Sequence, residues 1–468
     1  MTNERKEKEW NTGIPMRNDA EIFREQSTAD MHNDTGCEEF ALYLGRCQVD
    51  TPHDVVGAVW AQVKHRRGDV GKVVDFGAGD GRFARVPGYR SYVGYEIDPR
   101  RTRGAEKLLP CNATMRHLCA FAEPVIDADV CIGNPPYVRN QDLPEGWAKM
   151  AAEIIAERTG VQVSGLANAW QYFFLLSLAS TKADGLAALV VPYEWVSRPS
   201  SKALREYIKS NGWTVSIYRL CDSTFKKVLT TSSIAIVDKA DKSGTWSYFR
   251  LANDGECRPS RSPTGSRSNV LAYTKVAATD LRAKRGLSPG TQEALVLTEG
   301  DRVRHGLKRG RDVVACVTTL RPLEYGEEDF DEELFQDKYV LAGKRCWLIR
   351  TDRQPSQALS DYLNTVPSSK YQTSTCLSRG IWWKFTMPAV PSILMASGFR
   401  RASPKVVVNS VRAVAVGSVC GIYGVGSGQE ASVVRTLSSY NFKSRVVSHS
   451  NGLMKVEIAQ LNTVLGML

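Results

Sequence analysis

The segment Asn134-Pro135-Pro136-Tyr137 has the residue types needed to act on an exocyclic amine. It follows an apolar run, 129–133, that predicts a buried strand, so it lies where open α/β sheets bind ligands. Neither proline nitrogen can donate a hydrogen bond. The Asn134 side-chain oxygen and the Pro135 carbonyl can therefore accept both protons of one NH2 group. This arrangement would direct the nitrogen lone pair at a methyl donor through alignment and electrostatics.

Aromatic residues near this segment suit a planar target. Tyr137 offers a flat face on which a base can stack, and a base extruded from a duplex must be sandwiched in its pocket. The sandwich needs a second aromatic residue. Phe225 is our candidate because it lies between two apolar runs, 214–220 and 232–237, that predict strands. The alternative is that Phe225 is an ordinary core or surface phenylalanine.

A glycine-rich turn predicts a nucleotide-like ligand. The apolar run 72–76 leads into Gly77 and Gly79, where glycine lets the backbone approach a ligand closely. A second predicted strand ends at Glu96, at the usual distance of about 20 residues for an acid that accepts ribose hydroxyls.

Two residues around the turn indicate which ligand this is. Arg82 stands where a nicotinamide-binding fingerprint would have its third glycine. Asp75, directly before the turn, suits a ligand with a positively charged amino-acid end. Together they favour S-adenosylmethionine over a dinucleotide.

A predicted helix begins close to Thr51. Thr51 is placed to be its N-cap, Pro52 is at the first position and Asp54 at the third. The pattern fits either a well-capped helix alone or a helix N-terminus that faces a ligand carboxylate.

Six apolar runs of strand length alternate with helical patterns between residues 46 and 240, which predicts a doubly wound, mostly parallel α/β sheet. The runs are 72–76, 92–97, 129–133, 186–192, 214–220 and 232–237, and the helical stretches are 52–64, 168–180 and 200–210. The short connection between the last two runs predicts an antiparallel strand at the sheet edge.

Composition indicates a cytoplasmic protein with a polyanionic partner. The 468 residues have a formal net charge of +11, which favours nucleic acid. The scattered cysteines and histidines predict no metal site, and we expect no signal peptide or membrane span. We expect an N-terminal extension (1–45), a catalytic domain (46–240) and a second, mixed domain (241–468).

Taken in order, these segments resemble the gamma-class adenine-N6 DNA methyltransferases of restriction-modification systems. The matching pieces are 49–52, 75–81, 93–99, 134–137, 185–195 and 225–239, with fainter ones at 403–409 and 452–468. The resemblance implies a seven-stranded, Rossmann-like methyltransferase sheet followed by a mixed α+β target-recognition domain. It also implies duplex DNA as substrate, with a separate cognate endonuclease; a monomer is our expectation.

The resemblance also assigns roles to residues. The residues it implies for S-adenosylmethionine are Thr51, Asp75, Gly77, Gly79, Glu96 and Asn134. Those it implies for the target amine are Asn134, Pro135, Pro136 and Tyr137, with Phe225 stacking on the flipped adenine. One departure is that the stretch 115–121 lacks the acid usual at the end of the third strand. Backbone groups or His117 replace that acid, or cofactor affinity is reduced.

Other functions share parts of this pattern. The same tetrapeptide occurs in methyltransferases that act on release-factor glutamine, and variants occur in those acting on RNA guanine, but those enzymes usually lack a long second domain. Cytosine N4 needs the same two acceptors as adenine N6. A non-catalytic DNA-binding protein with a decayed methyltransferase domain is a further alternative. The recognition sequence is not readable from the chain, and we expect no fused nuclease.

Overall fold

The computed structural model describes residues 49–123, 127–144, 146–165, 167–225, 230–252, 255–263, 271, 280–447 and 452–468. The chain forms two compact units. The first, described from residue 49, runs to 191 and includes 200–219 and 233–258; the second comprises 192–199, 220–232 and the residues from 259 onwards. The predicted extension 1–45 lies outside the described residues, and the predicted domain boundary at 240 stays a prediction.

A nine-stranded sheet forms the centre of the first unit, in the order β3-β2-β1-β4-β5-β7-β6-β8-β9. Its strands are β1 Val70–Phe76, β2 Tyr89–Glu96, β3 Ala113–His117, β4 Ala128–Gly133, β5 Thr181–Pro192, β6 Thr214–Arg219, β7 Ser232–Asp238, β8 Trp246–Leu251 and β9 Cys257–Ser260. β1 pairs in parallel with both β2 and β4. The strand order reverses between β1 and β4, so the predicted doubly wound, mostly parallel α/β sheet is confirmed.

Two details of the predicted sheet are wrong. It has nine strands rather than seven, because β8 pairs in parallel with β6 and β9 follows it. β7 is antiparallel to β6, as predicted, but it lies between β5 and β6 instead of at the edge. Its residues are buried from Ser232 to Val237, which is typical of a strand covered on both faces.

In the described part of the chain five α-helices accompany this sheet: α1 His53–Arg67, α2 Pro99–Glu106, α3 Trp147–Thr159, α4 Ala169–Ser180 and α5 Lys202–Ser210. α4 is buried on nearly every side, including Trp170 and Phe174, as expected for a helix that is apolar all round. It packs against α3 and β4. α2 starts at Pro99, and the Asp98 side chain caps it by accepting a hydrogen bond from the Arg100 N–H.

The second unit contains small sheets and short helices. Its sheets have the orders β10-β18-β14-β16, β11-β13-β12-β17 and β15-β19. The strands are β10 Arg282–Arg285, β11 Val296–Leu297, β12 Val313–Val317, β13 Trp347–Ile349, β14 Ile393–Ala396, β15 Gly398–Phe399, β16 Val406–Val408, β17 Val414–Ala415, β18 Val419–Tyr423 and β19 Met454–Lys455. The helices are α6 Gln292–Leu295, α7 Glu299–Arg304, α8 Glu332–Phe335, α9 Gln357–Thr365, α10 Ser374–Leu377, α11 Glu430–Ser439 and α12 Ile458–Leu465. Among the described residues, no helix combines the length and apolarity needed to cross a bilayer.

Trp60 joins α1 to the segment that follows the glycine turn. It is 1% exposed, its indole N–H donates to the Phe83 carbonyl at 2.9 Å, and its ring stacks on Tyr89 with centroids 5.8 Å apart. We expect Trp60→Ala to lower the free energy of unfolding by about 3–5 kcal/mol, since it leaves a cavity and an unsatisfied carbonyl. Leu108→Ala, at a leucine that is 60% exposed, is the control and should have little effect. Urea unfolding measures both variants, and an equal loss of unfolding free energy in the two would contradict this role of Trp60.

Candidate active site at the switch point of the sheet

A cavity opens at the carboxyl ends of β1 to β4, where the strand order reverses. The open space there, including solvent at its mouth, is about 970 Å³. Its wall includes Asp50, Thr51, Gly77, Gly79, Asp80, Arg82, Glu96, Ile97, Arg101, Asn134, Pro136, Trp147 and Phe173. The cavity therefore lies where doubly wound sheets bind ligands.

The end of β2 fixes the glycine turn. The Gly77 and Ala78 N–H groups both donate to the Tyr95 carbonyl, at 2.9 and 2.8 Å. The Gly79 N–H donates to Glu96 Oε2 at 2.8 Å. Three successive backbone N–H groups thus hold the turn against β2, and the Glu96 carboxylate is fixed on the cavity wall with lone pairs to spare.

Asn134 presents a hydrogen-bond acceptor beside this turn. Its Nδ2 donates to Thr51 Oγ1 at 3.0 Å, which sets the orientation of the amide. Asn134 Oδ1 is buried, and no donor in the described part of the chain bonds to it. A buried acceptor without a partner is costly, and active sites are one place where that cost is tolerated.

The bond to Asn134 changes the predicted role of Thr51. α1 begins at His53 after Pro52, and within the described structure no side chain caps it. Thr51 is 4% exposed, and its hydroxyl faces Asn134. The N-cap prediction is therefore wrong, because the hydroxyl accepts from the side chain at the end of β4.

The glycine turn and the Asn-Pro-Pro-Tyr segment pack too closely for larger residues at two positions. Gly133 has φ +140°, and a Cβ there would lie 2.1 Å from Asp75 Oδ1. Gly77 has φ +95°, and its Cβ would lie 3.3 Å from Pro136 Cδ. Glycine at both positions lets the two segments meet and form adjoining walls of the cavity.

Asp75 lies beneath the cavity rather than on its wall. It is fully buried, and Tyr92 donates its hydroxyl proton to Asp75 Oδ2 at 2.7 Å. Burial raises the pKa of the Asp75 carboxyl to about 7, although the Tyr92 hydrogen bond opposes this shift. Its predicted contact with the cofactor's amino-acid end finds no support in this position.

Charged residues that the sequence did not reveal surround the mouth of the cavity. Arg82 Nε lies 2.8 Å from Asp80 Oδ1, and Arg82 Nη2 lies 3.0 Å from Asp50 Oδ2. Arg101 Nη2 contacts the other oxygen of Asp50. Asp50, the Asp80–Arg82 pair and Arg101 come from three separate segments, so no local spacing identifies them as a group.

Aromatic side chains form another part of the wall. Trp147 and Phe173 both line the cavity, and their rings stack with centroids 6.1 Å apart and an interplanar angle of 20°. Trp147 begins α3, and Phe173 is on α4. They lie in two helices, and nothing in the spacing of either helix marks them as site residues.

The segment after β3 contributes Leu118, Cys119 and Ala120 to the wall. His117 does not line the cavity; its exposed ring places Nε2 3.0 Å from the Ile97 carbonyl oxygen. Glu123, the next acid, accepts from the Tyr95 hydroxyl at 2.8 Å. The position of His117 therefore gives no support to its replacing the missing acid.

The predicted site residues thus fall into four groups. Thr51, Gly77, Gly79, Glu96, Asn134 and Pro136 share the cavity wall. Pro135 and Tyr137 adjoin it along the chain, and Asp75 lies beneath it. Phe225 belongs to the second unit, where it is 8% exposed, and its stacking role stays a prediction.

Two sequence comparisons match parts of this chain to methyltransferases. Residues 121–225 match the family model described as Eco57I restriction-modification methylase. The Type II methyltransferase M.XamI from Xanthomonas campestris pv. amaranthicola is 28% identical over 205 residues, which are 40% of this chain and 38% of that protein. The match therefore spans well under half of that relative. Part of the chain is thus similar to restriction-modification methylases.

Solved structures of such enzymes also align with the chain. The methyltransferase subunit of a type I restriction-modification system from Streptococcus thermophilus is 17% identical, covering 46% of this chain and 50% of that chain, with a TM-score of 0.38. A nuclease-deletion mutant of the Type ISP restriction-modification enzyme LlaGI, in complex with a DNA substrate mimic, is 11% identical. That alignment covers 92% of this chain and 56% of the other, with a TM-score of 0.48.

The raised pKa of Asp75 predicts a specific pH dependence of stability. The folded-state pKa of the Asp75 carboxyl, about 7, is higher than its ordinary value of 3.8. The folded state therefore keeps a proton that the unfolded state releases between about pH 4 and 7, and the wild type loses stability as the pH rises through this window. We expect the free energy of unfolding of Asp75→Asn, minus that of the wild type, to increase across this window by up to about 4 kcal/mol.

Asp80→Asn is the matched control with the opposite sign. Burial tends to raise the pKa of Asp80, but the hydrogen bond and charge of Arg82 outweigh it and lower the pKa. Asp80→Asn should therefore destabilise at neutral pH, by an amount that disappears as the pH falls below about 4. Urea unfolding at several pH values measures both differences. If the unfolding free energy of Asp75→Asn minus that of the wild type does not change with pH, this carboxyl is already ionised in the folded protein.

Proposed function

We propose that this chain is a site-specific DNA adenine-N6 methyltransferase that takes the methyl group from S-adenosylmethionine. The observation that carries the proposal is Asn134 Oδ1, a buried acceptor with no donor in the described part of the chain, at the end of β4. The Thr51 hydroxyl already holds the amide nitrogen. The oxygen is therefore oriented before any target amine arrives, which is the preorganisation that such catalysis uses.

The cavity fits S-adenosylmethionine in three parts. Glu96 supplies a carboxylate for the ribose hydroxyls, and Trp147 and Phe173 supply an aromatic wall for the adenine ring. Asp50 and Arg101 supply charges of both signs for the amino-acid end. When bound, the cofactor supplies a methyl group on a sulfonium centre, which is a strong electrophile.

The catalytic segment acts by alignment rather than as a strong base. Asn134 Oδ1 would accept a hydrogen bond from one N–H of the target amine, and the Pro135 carbonyl would accept one from the other N–H. This would orient the nitrogen lone pair for in-line attack on the methyl group that a bound cofactor would supply, with S-adenosylhomocysteine as leaving group and the surplus amine proton passing to solvent. Tyr137 offers a face on which the flipped adenine stacks, which stabilises a base outside the duplex; the stacking role of Phe225 stays a prediction.

The charge distribution supports duplex DNA as the substrate. Residues 339–455 contain fifteen Lys and Arg against three Asp and Glu, whereas residues 324–337 contain eight acids and no base. A polyanion would be attracted to the first segment and repelled by the second. We assign target recognition to 241–468, with a separate cognate endonuclease as partner and a monomer in the cytoplasm as the working state.

Asn134→Ala tests the catalytic assignment. We expect methyl transfer to duplex DNA to fall by about 100-fold or more, by comparison with loss of other preorganised hydrogen-bonding groups. Binding of S-adenosylhomocysteine should change little, because the oxygen acts on the target amine. Asn211→Ala, at an exposed asparagine that donates to the Tyr207 carbonyl, is the control. Methyl transfer by Asn134→Ala at the rate of that control would refute the assignment.

The basic segment generates a separate prediction about DNA binding. Lys384 is exposed in the loop after α10, within the basic stretch, whereas Lys338 pairs with Asp337 at 3.3 Å beside the acidic stretch. Lys384→Ala should reduce the slope of log affinity against log salt by about 1, as expected for one lost phosphate contact. Lys338→Ala should leave it unchanged. Fluorescence anisotropy with labelled duplex measures both, and equal slopes would contradict this view of the DNA-binding surface.

A further inference from the structure

Arg82 and Arg101, the two arginines on the cavity wall, differ in how many of their N–H groups are used. Arg82 donates Nε and Nη2 to Asp80 at 2.8 and 2.9 Å. Its Nη1 donates to the Thr51 carbonyl. Arg82 is thus committed to holding the segment before α1 against the glycine turn, and it has little capacity left for a ligand.

Arg101 is different. Among the described residues its partner is Asp50, which it reaches through Nη2, although a guanidinium carries five N–H donors. The side chain is 19% exposed and lines the cavity, so its remaining N–H groups are available to a ligand there. Arg101 Nη2 also lies 3.1 Å from the position of a Cβ at Gly79, so the guanidinium packs directly on the glycine turn.

The charges around Arg101 indicate the chemistry of its ligand. The cavity wall has three carboxylates, on Asp50, Asp80 and Glu96, and two guanidiniums. A positively charged group on a ligand has several candidate partners there. Within the described part of the chain, a ligand carboxylate at this wall has one cation with donors to spare, which is Arg101. A guanidinium binds a carboxylate with charge-assisted hydrogen bonds.

We propose that Arg101 binds the α-carboxylate at the amino-acid end of the cofactor, and that Asp50 positions Arg101. The inference rests on the proposed use of S-adenosylmethionine. Asp50 bridges the two arginines, with Oδ1 on Arg101 and Oδ2 on Arg82 at 3.0 Å. It therefore ties a side chain on α2 to the well-anchored Arg82, and this fixes the direction of the Arg101 fork.

Calorimetric binding to two ligands tests the proposal without turnover. S-Adenosylhomocysteine has the amino-acid end, whereas 5′-methylthioadenosine lacks it. Arg101→Gln should weaken binding of the first by about tenfold or more and leave binding of the second within about twofold of wild type. Arg101→Lys keeps the positive charge but loses the forked guanidinium, so its affinity for S-adenosylhomocysteine should lie between those of the wild type and Arg101→Gln. Asp50→Asn should cause a smaller loss, again confined to S-adenosylhomocysteine.

Arg100→Gln is the matched control, since Arg100 is the adjacent residue, is 67% exposed and pairs with Asp98. Its affinities for both ligands should be those of the wild type. Wild-type affinity of Arg101→Gln for S-adenosylhomocysteine would overturn the inference, and so would an equal loss for both ligands. A wild-type protein that binds neither ligand would overturn the cofactor assignment with it. Binding that depends on Arg101, without methylation of DNA in a separate assay, would support the inference and refute the proposed function.

Discussion

The hydrogen bond from Asn134 Nδ2 to Thr51 Oγ1 is the interaction on which the rest of the site depends. It joins the segment before α1 to the end of β4 across 3.0 Å. Because the amide nitrogen is held, the amide oxygen remains as an acceptor directed away from that bond. An asparagine free to rotate could offer its NH2 group to the target instead. Thr51 therefore sets the chemical character of the site, although it is not the helix cap that its sequence position predicts.

Close packing between two segments keeps that acceptor beside the cavity. Gly133 lies against Asp75, and Gly77 lies against Pro136, at distances that leave no room for relaxed larger side chains. The backbone bonds from the glycine turn to Tyr95 then tie this pair of segments to β2. The cavity at the switch point is thus formed by strand ends whose mutual positions are fixed by hydrogen bonds and small residues, a geometry suited to preorganised catalysis.

Local patterns predicted much of this fold, and long-range contacts account for what was missed. Each of the six predicted runs overlaps a strand, because these strands are rich in buried apolar residues. β3 was not among those runs, since only two of its five residues are buried. The helix α2 was not predicted, because its three arginines interrupt the apolar periodicity by which a helix is recognised. The turn and tetrapeptide were recognisable from short motifs. The group formed by Asp50, Arg82 and Arg101 was not, because only folding brings these residues together. Asp75 was predicted to contact the cofactor from its position before the turn, and that position gives no sign of the direction of its side chain.

The central claim is that Asn134 and Pro135 hold the exocyclic amine of adenine in duplex DNA. Its most direct test is to incubate the purified chain with isotopically labelled S-adenosylmethionine and unmethylated duplex DNA of mixed sequence, then digest the DNA and identify the labelled nucleoside by mass spectrometry. The account predicts label in N6-methyldeoxyadenosine, from a defined sequence context. Label confined to N4-methyldeoxycytidine would contradict the choice of adenine. Label found in RNA or in a release factor, with none in DNA, would contradict the account as a whole.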